Sequence, residues 1–111
     1  MMRHSHTAVV ERNRVWKGTF ETEPYEAAWA GEAIFFVRTL EASGPAADVH
    51  ARVQISPDGM YWCDEGARVP LRGEPGVAFG RLRHFGHYLR LVGELPEGAE
   101  IRVVVYLSLK E

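Results

Sequence analysis

Val49-His50-Ala51-Arg52-Val53-Gln54-Ile55-Ser56-Pro57-Asp58-Gly59-Met60-Tyr61-Trp62 decides how this chain folds. Side chains on a strand alternate between two faces. Val49, Ala51, Val53 and Ile55 therefore share one face, and His50, Arg52, Gln54 and Ser56 share the other. Pro57 pre-sets φ for the first corner of a tight turn, and Gly59 can take the positive φ that closes it. Met60-Tyr61-Trp62 has the bulky, aromatic character of a returning strand. The stretch predicts a β-hairpin with one dry face and one wet face.

The same style runs through the chain. Glu100 to Leu109 places Ile101, Val103, Val105, Leu107 and Leu109 in one apolar row, opposite Arg102, Val104, Tyr106 and Ser108. Burying those five side chains stabilises a fold by on the order of 10 kcal/mol before conformational entropy is subtracted. Ala33 to Leu40 is apolar on both faces, with Ile34, Phe36 and Leu40 on one and Ala33, Phe35 and Val37 on the other. Such a strand is covered on both sides. One cover is the core; the other is a neighbouring subunit or the N-terminal segment. Thr7 to Thr22 is rich in β-formers, with Trp16, Gly18 and Phe20 on one parity. Tyr25 to Trp29 reads equally as a short helical turn or an irregular crossing.

Asp64-Glu65-Gly66 reads as the end of the hairpin's return strand. Arg68 to Leu71 reads as a short separate strand, and Pro70 puts it at a sheet edge. Val77, Phe79 and Arg81 alternate with small or apolar residues. Arg83 to Val92 reads as one strand, with Phe85, Leu89 and Leu91 on one parity and Tyr88, Arg90 and Val92 on the other. Gly/Pro turns separate about seven or eight strands at roughly ten-residue spacing. The expected fold is all-β, an antiparallel β-sandwich or jelly roll. Residues 1–7 read as a flexible polar arm and residues 8–111 as one β-sandwich domain.

Composition narrows the function classes. The chain has 111 residues, 46% hydrophobic and 25% charged, as an ordinary globular domain has. Its formal net charge of -2 argues against general nucleic-acid binding, which needs a basic excess. Cys63 is the only cysteine, so no intrachain disulfide can form. Met1 to His6 lacks the apolar stretch of a signal peptide, and no apolar run approaches the ~20 residues of a membrane helix. The expected location is cytoplasmic, or a virion-like particle assembled in the cytoplasm, with no membrane or nucleic-acid partner.

Three segments together resemble the discoidin and galactose-binding-like β-sandwich domains. Val53 to Trp62 is similar to their hairpin of strand, Ser-x-Asp-Gly turn and Trp. His87-Tyr88-Leu89-Arg90-Leu91 is similar to one of their central strands, and Ile101 to Leu107 to their closing strand. The likeness spans about Val49 to Leu109. The hairpin also resembles that of small jelly-roll accessory proteins of phage particles. The resemblance implies a sandwich that holds ligands on loops at one end; it assigns no binding residue here.

Candidate chemistry is sparse. His84 and His87 form H-x-x-H, a spacing that puts them on opposite faces of a strand unless Gly86 introduces a bulge. Zinc needs three or four ligands. His4 and His6 lie in the arm, and His50 on the wet hairpin face. Asp64 and Glu65 could join a calcium site only with several further oxygens; Glu21, Glu23 and Glu26 cluster around Pro24. Ser5, Ser43, Ser56 and Ser108 have no nucleophile-elbow context. Cys63 has no adjacent base and reads as a small, partly buried strand residue. No catalytic residue, metal ligand or cofactor site is assigned. Tyr61, Tyr88, Arg90, Arg102 and Tyr106 are the candidate interface or ligand-binding set, because Tyr and Arg dominate binding hot spots. The expectation is a non-catalytic structural or interaction protein acting as a homo-oligomer or within a larger assembly. The alternatives are a carbohydrate-binding module using Trp and Tyr (among Trp16, Trp29, Trp62, Tyr25, Tyr61 and Tyr88) with polar loop residues, and a small metal-dependent protein.

Overall fold

Alternating burial organises the computed structural model, which describes residues 5–45, 49–83 and 85–111. The strands are β1 (Ser5–Lys17), β2 (Thr19–Glu21), β3 (Tyr25–Glu26), β4 (Glu32–Ser43), β5 (His50–Ser56), β6 (Cys63–Pro70), β7 (Gly76–Arg83), β8 (Tyr88–Glu94) and β9 (Glu100–Lys110). No helix occurs among the described residues. One sheet has the order β1-β9-β4-β7. The other has the order β2-β8-β5-β6, with β3 also pairing to β8. All these pairings are antiparallel, and the two sheets pack as a β-sandwich.

β9 sits inside its sheet, flanked by β1 and β4. Its row of Ile101, Val103, Val105, Leu107 and Leu109 is buried, as the alternation predicts. Ala33, Phe35 and Val37 of β4 join that core, and Ala51, Val53, Leu89 and Leu91 meet it from the second sheet. Gly18 takes φ 65° between β1 and β2, where the chain passes from one sheet to the other. Trp16 before it and Phe20 after it stack with ring centroids 4.0 Å apart. Gly80 permits a close approach between sheets: a Cβ there would lie 2.6 Å from the Arg68 carbonyl oxygen.

Several boundaries differ from the sequence reading. Met60, Tyr61 and Trp62 belong to the connection, and the return strand begins at Cys63. β6 then runs unbroken to Pro70, joining the two pieces expected around Asp64-Glu65-Gly66 and Arg68–Leu71. The cause is a bulge: the pairing Arg52↔Arg68 is followed by Gln54↔Asp64, so three residues of β6 face one of β5. Gly66 takes φ 112° there, and the Glu65 carboxylate accepts a hydrogen bond from the Ala67 amide at 3.0 Å. β6 is an edge strand, as Pro70 requires.

Arg83 to Val92 is likewise two strands. β7 ends at Arg83 in one sheet and β8 starts at Tyr88 in the other, so Phe85 shares no ladder with Leu89. His84 lies outside the described residues. Ser5, His6 and Thr7, assigned to the arm by sequence, pair with Lys110, Leu109 and Ser108; residues 1–4 lie outside the described residues. Tyr25 to Trp29 resolves as the irregular crossing, with β3 followed by a turn closed by Ala30 N–H to Ala27 O. Ser56, expected on the wet face, is buried at the turn, where its hydroxyl accepts from the Asp58 and Gly59 amides.

Candidate functional site

The outer face of the β1-β9-β4-β7 sheet follows from its register. Val9 of β1 pairs with Tyr106 of β9, Tyr106 with Phe36 of β4, and Phe36 with Phe79 of β7. Strand neighbours in register share a face, so these four form one row across the sheet. The row on one side reads Thr7, Ser108, Ile34, Arg81; the row on the other holds Val104, Arg38 and Val77. Val9 (40% exposed), Phe79 (48%) and Val77 (53%) stand in solvent, while Ile34, Phe36, Val104 and Tyr106 are half-buried only by one another and by their neighbours. Phe36 and Phe79 lie 6.1 Å apart, and the Arg81 guanidinium sits 5.2 Å over the Phe79 ring.

Charges of both signs gather at the two ends of that face, while the rows between carry the cations Arg81 and Arg38. Ser5, Lys110, Glu32 and Arg83 form the row at one end. Val15, Arg102 and Glu41 form it at the other. Arg102 Nε lies 3.6 Å from Glu41 Oε2, and its Nη1 donates to Asn13 at 3.3 Å. The N-terminal strand β1 lies beside β9 in the sheet and does not cover this face. The second cover that the two-sided apolarity of β4 demands is therefore not supplied by the described chain.

The opposite outer face, on the β2-β8-β5-β6 sheet, is polar and internally paired. Arg52 donates to Glu94 at 3.0 Å, and Gln54 donates to Asp64 at 2.9 Å. Arg90 donates to Gln54 at 2.9 Å and to Glu21 at 3.0 Å, and its guanidinium covers the Trp62 ring at 4.2 Å. A face closed in this way is suited to water.

The five candidate side chains are thus split over three places. Arg102 and Tyr106 lie on the apolar outer face. Tyr88 and Arg90 belong to β8 in the other sheet, where Arg90 is committed to Glu21, Gln54 and Trp62. Tyr61 stands at a loop tip, 75% exposed beside Met60. Parity along a strand cannot reveal that β8 and β9 face opposite ways, because that depends on sheet membership. The sequence reading put Val104 in the row of Tyr106 and Arg102 but did not join Val9, Val77 and Phe79 to that surface. The available signal was that β4 and β9 both carry apolar residues on their second parity.

The three tryptophans also separate. Trp16 is core, Trp62 lies under Arg90, and Trp29 lines a shallow cleft with Ser5, His6 and Glu111. Among the described residues no three His, Cys, Asp or Glu side chains converge as metal ligands. His87 Nε2 lies 3.5 Å from Glu26. Asp64 accepts from Gln54, and Glu65 from the Ala67 amide. Cys63, expected to be partly buried, is exposed, since it opens the edge strand.

The loop that carries Tyr61 is ordered by Asp58. Its Oδ1 accepts from the Met60 amide at 2.9 Å, the Tyr61 amide at 3.0 Å and the Ser56 hydroxyl at 3.0 Å. The hydrogen bonds from Tyr61 and Met60 hold its carboxyl below the ordinary aspartate value. A depressed pKa means the carboxylate's contribution is complete above the unfolded value and is lost as pH falls through the folded one. The Met60 and Tyr61 amide shifts are expected to titrate together, with a midpoint below that of an unstructured aspartate. Asp58→Ala is expected to abolish that step and speed amide exchange at both residues. Unchanged exchange would show that Asp58 does not order the loop.

Taken together, these features define a two-sheet antiparallel β-sandwich with one polar and one apolar outer face. No protein-family model matches the chain, and no curated protein matches it. Among solved structures, it is similar to the crystal structure of SPBc2 prophage-derived protein YomS, with TM-score 0.60 and 8% identity over 100% of this chain and 96% of that one. A second similar structure is that of FLHE, with TM-score 0.42 and 18% identity over 98% of this chain and 94% of that one. At such identity the YomS likeness shows a shared fold in a chain of nearly the same length.

Proposed function

We propose that this chain is a non-catalytic assembly protein that works by docking through the outer face of the β1-β9-β4-β7 sheet, as a homo-oligomer or as a component of a larger particle. The observation that carries this reading is the cross-strand row Val9, Tyr106, Phe36 and Phe79, extended by Ile34, Val104 and Val77. Contiguous apolar surface rimmed by charge marks interaction sites, whereas scattered exposed apolar residues do not. The contrast with the second sheet strengthens it: the same chain keeps its other outer face polar and paired. Aromatic side chains at the centre with Arg38, Arg81 and Arg102 around them are the composition of a docking patch. The fold shared with a prophage-derived protein is compatible with a particle component and contributes the architecture only.

Sedimentation velocity over micromolar concentrations tests the reading. The expected mass is at least twice the 12.5 kDa of the chain. A monomer at every concentration up to hundreds of micromolar overturns self-assembly.

A further inference from the structure

Resting on that reading, we infer that the occupant of the apolar face is a second copy of this chain, docked about a two-fold axis parallel to the strands and passing between β4 and β9. The inference comes from the charge pattern at the two ends of the face. An isologous interface must be complementary to itself. An axis along the strands reverses the strand order and keeps every row level. β9 of one copy then lies over β4 of the other, and β1 over β7. In the central row Tyr106 meets the partner's Phe36, and Val9 meets the partner's Phe79. At one end Lys110 meets the partner's Glu32. At the other end Arg102 meets the partner's Glu41. Both terminal pairs are attractive, and each occurs twice.

The alternative two-fold orientation fails the same test. An axis across the strands would exchange the two end rows and leave each strand over its own copy. Lys110 would then face the partner's Arg102, and Glu32 would face the partner's Glu41. Like charges would meet at both ends, so the pattern selects one orientation by repulsion as well as by attraction. Arg102 already lies 3.6 Å from Glu41 of its own chain, so docking along the strand axis completes a square of alternating charges. The long Arg and Lys side chains tolerate the ~30° offset that twisted sheets adopt on stacking.

The size of the face is adequate. Four strands about 4.8 Å apart, with same-face rows about 7 Å apart, give a five-row face of roughly 500 Å² in projection and more in accessible area. Standard interfaces bury about 800 Å² per partner. The apolar central row and the charged end rows follow the core-and-rim arrangement of such interfaces, and in the rows between, Arg38 lies over the partner's Val104 and Arg81 over the partner's Thr7.

Mixing charge-reversed copies tests the geometry. Glu32→Lys/Glu41→Lys makes both end rows cationic on β4 and β9. Arg102→Glu/Lys110→Glu makes both anionic. Each variant alone is expected to self-associate at least tenfold more weakly than the unmodified chain. An equimolar mixture is expected to form a 1:1 heterodimer at least as tight as the original. Attraction within one chain cannot produce that rescue. If a double variant does not fold, Glu41→Arg mixed with Arg102→Glu gives the same readout with one substitution per copy. Variants that associate normally, or a folded mixture without rescue, overturn the strand-parallel axis. If the unmodified chain still associates in that case, and Phe36→Glu disrupts it, the docking face stands and only the geometry falls. A monomeric unmodified chain overturns the two-fold docking and the homo-oligomeric form of the reading together.

Discussion

Val105→Asp is expected to leave no soluble, cooperatively folded protein. Val105 is fully buried at the middle of β9, paired with Glu11 on one side and Val37 on the other. Removing its side chain from the core forfeits about 1.5–3 kcal/mol of apolar burial. Placing a carboxylate there adds several kcal/mol more, because no Lys, Arg or His is buried among the described residues to pair with it. The nearest ionisable neighbour in register is Glu11, itself only 6% exposed and accepting a hydrogen bond from the Glu23 amide at 3.3 Å. A second carboxyl beside it adds like-charge repulsion to desolvation. Domains hold roughly 5–15 kcal/mol in total, so the sum reaches the stability of the fold. Soluble yield and thermal melting by circular dichroism read the outcome. A soluble variant with a cooperative melt would show that the Ile101–Leu109 row is not the core.

That row was legible because its period of two runs without interruption for five side chains. β4 was legible for the same reason, and its second apolar parity pointed to an outer surface that needs covering. Sequence reading failed where local backbone irregularity interrupts the period. Asp64-Glu65-Gly66 carries every sign of a strand end, yet it is a bulge inside β6, because Gly66 at φ 112° lets the ladder resume. Met60-Tyr61-Trp62 has strand-forming residues, but Asp58 captures the Met60 and Tyr61 amides and leaves no ladder donor there. Arg83 to Val92 looked continuous because a crossing between sheets leaves no mark in composition.

The site was legible only in part, for a topological reason. Tyr106 and Arg102 share the less buried parity of β9, which the alternation alone shows. Tyr88 and Arg90 were grouped with them because Tyr and Arg on outer parities look alike whichever sheet holds them. The order β1-β9-β4-β7 is what assembles Val9, Tyr106, Phe36 and Phe79, which are far apart in the chain, into one row. Pairing between strands so distant in sequence is invisible to any local pattern.

Phe36→Glu combined with Tyr106→Glu is expected to dissociate the assembly while leaving the sandwich folded. Both side chains are half-buried on the outer face, and neither belongs to the buried core cluster. Phe36 gives up its 6.1 Å contact with Phe79, and Tyr106 its cross-strand neighbours. Such outer-face pairs contribute up to about 1 kcal/mol each, so a drop in melting temperature of roughly ten degrees or less is expected in a chain of this size. Association responds far more strongly. Central aromatic residues are hot spots, costing about 2 kcal/mol or more when removed. In a two-fold interface every substitution occurs twice, and a carboxylate buried without a partner adds its own desolvation cost. About 4 kcal/mol corresponds to roughly a thousandfold weaker association, enough to turn a micromolar dimer into a monomer at any practical concentration. Sedimentation velocity paired with a thermal melt separates the two effects. A folded double variant that keeps its original mass would show that the face bears no interface, and the docking reading would fall with it.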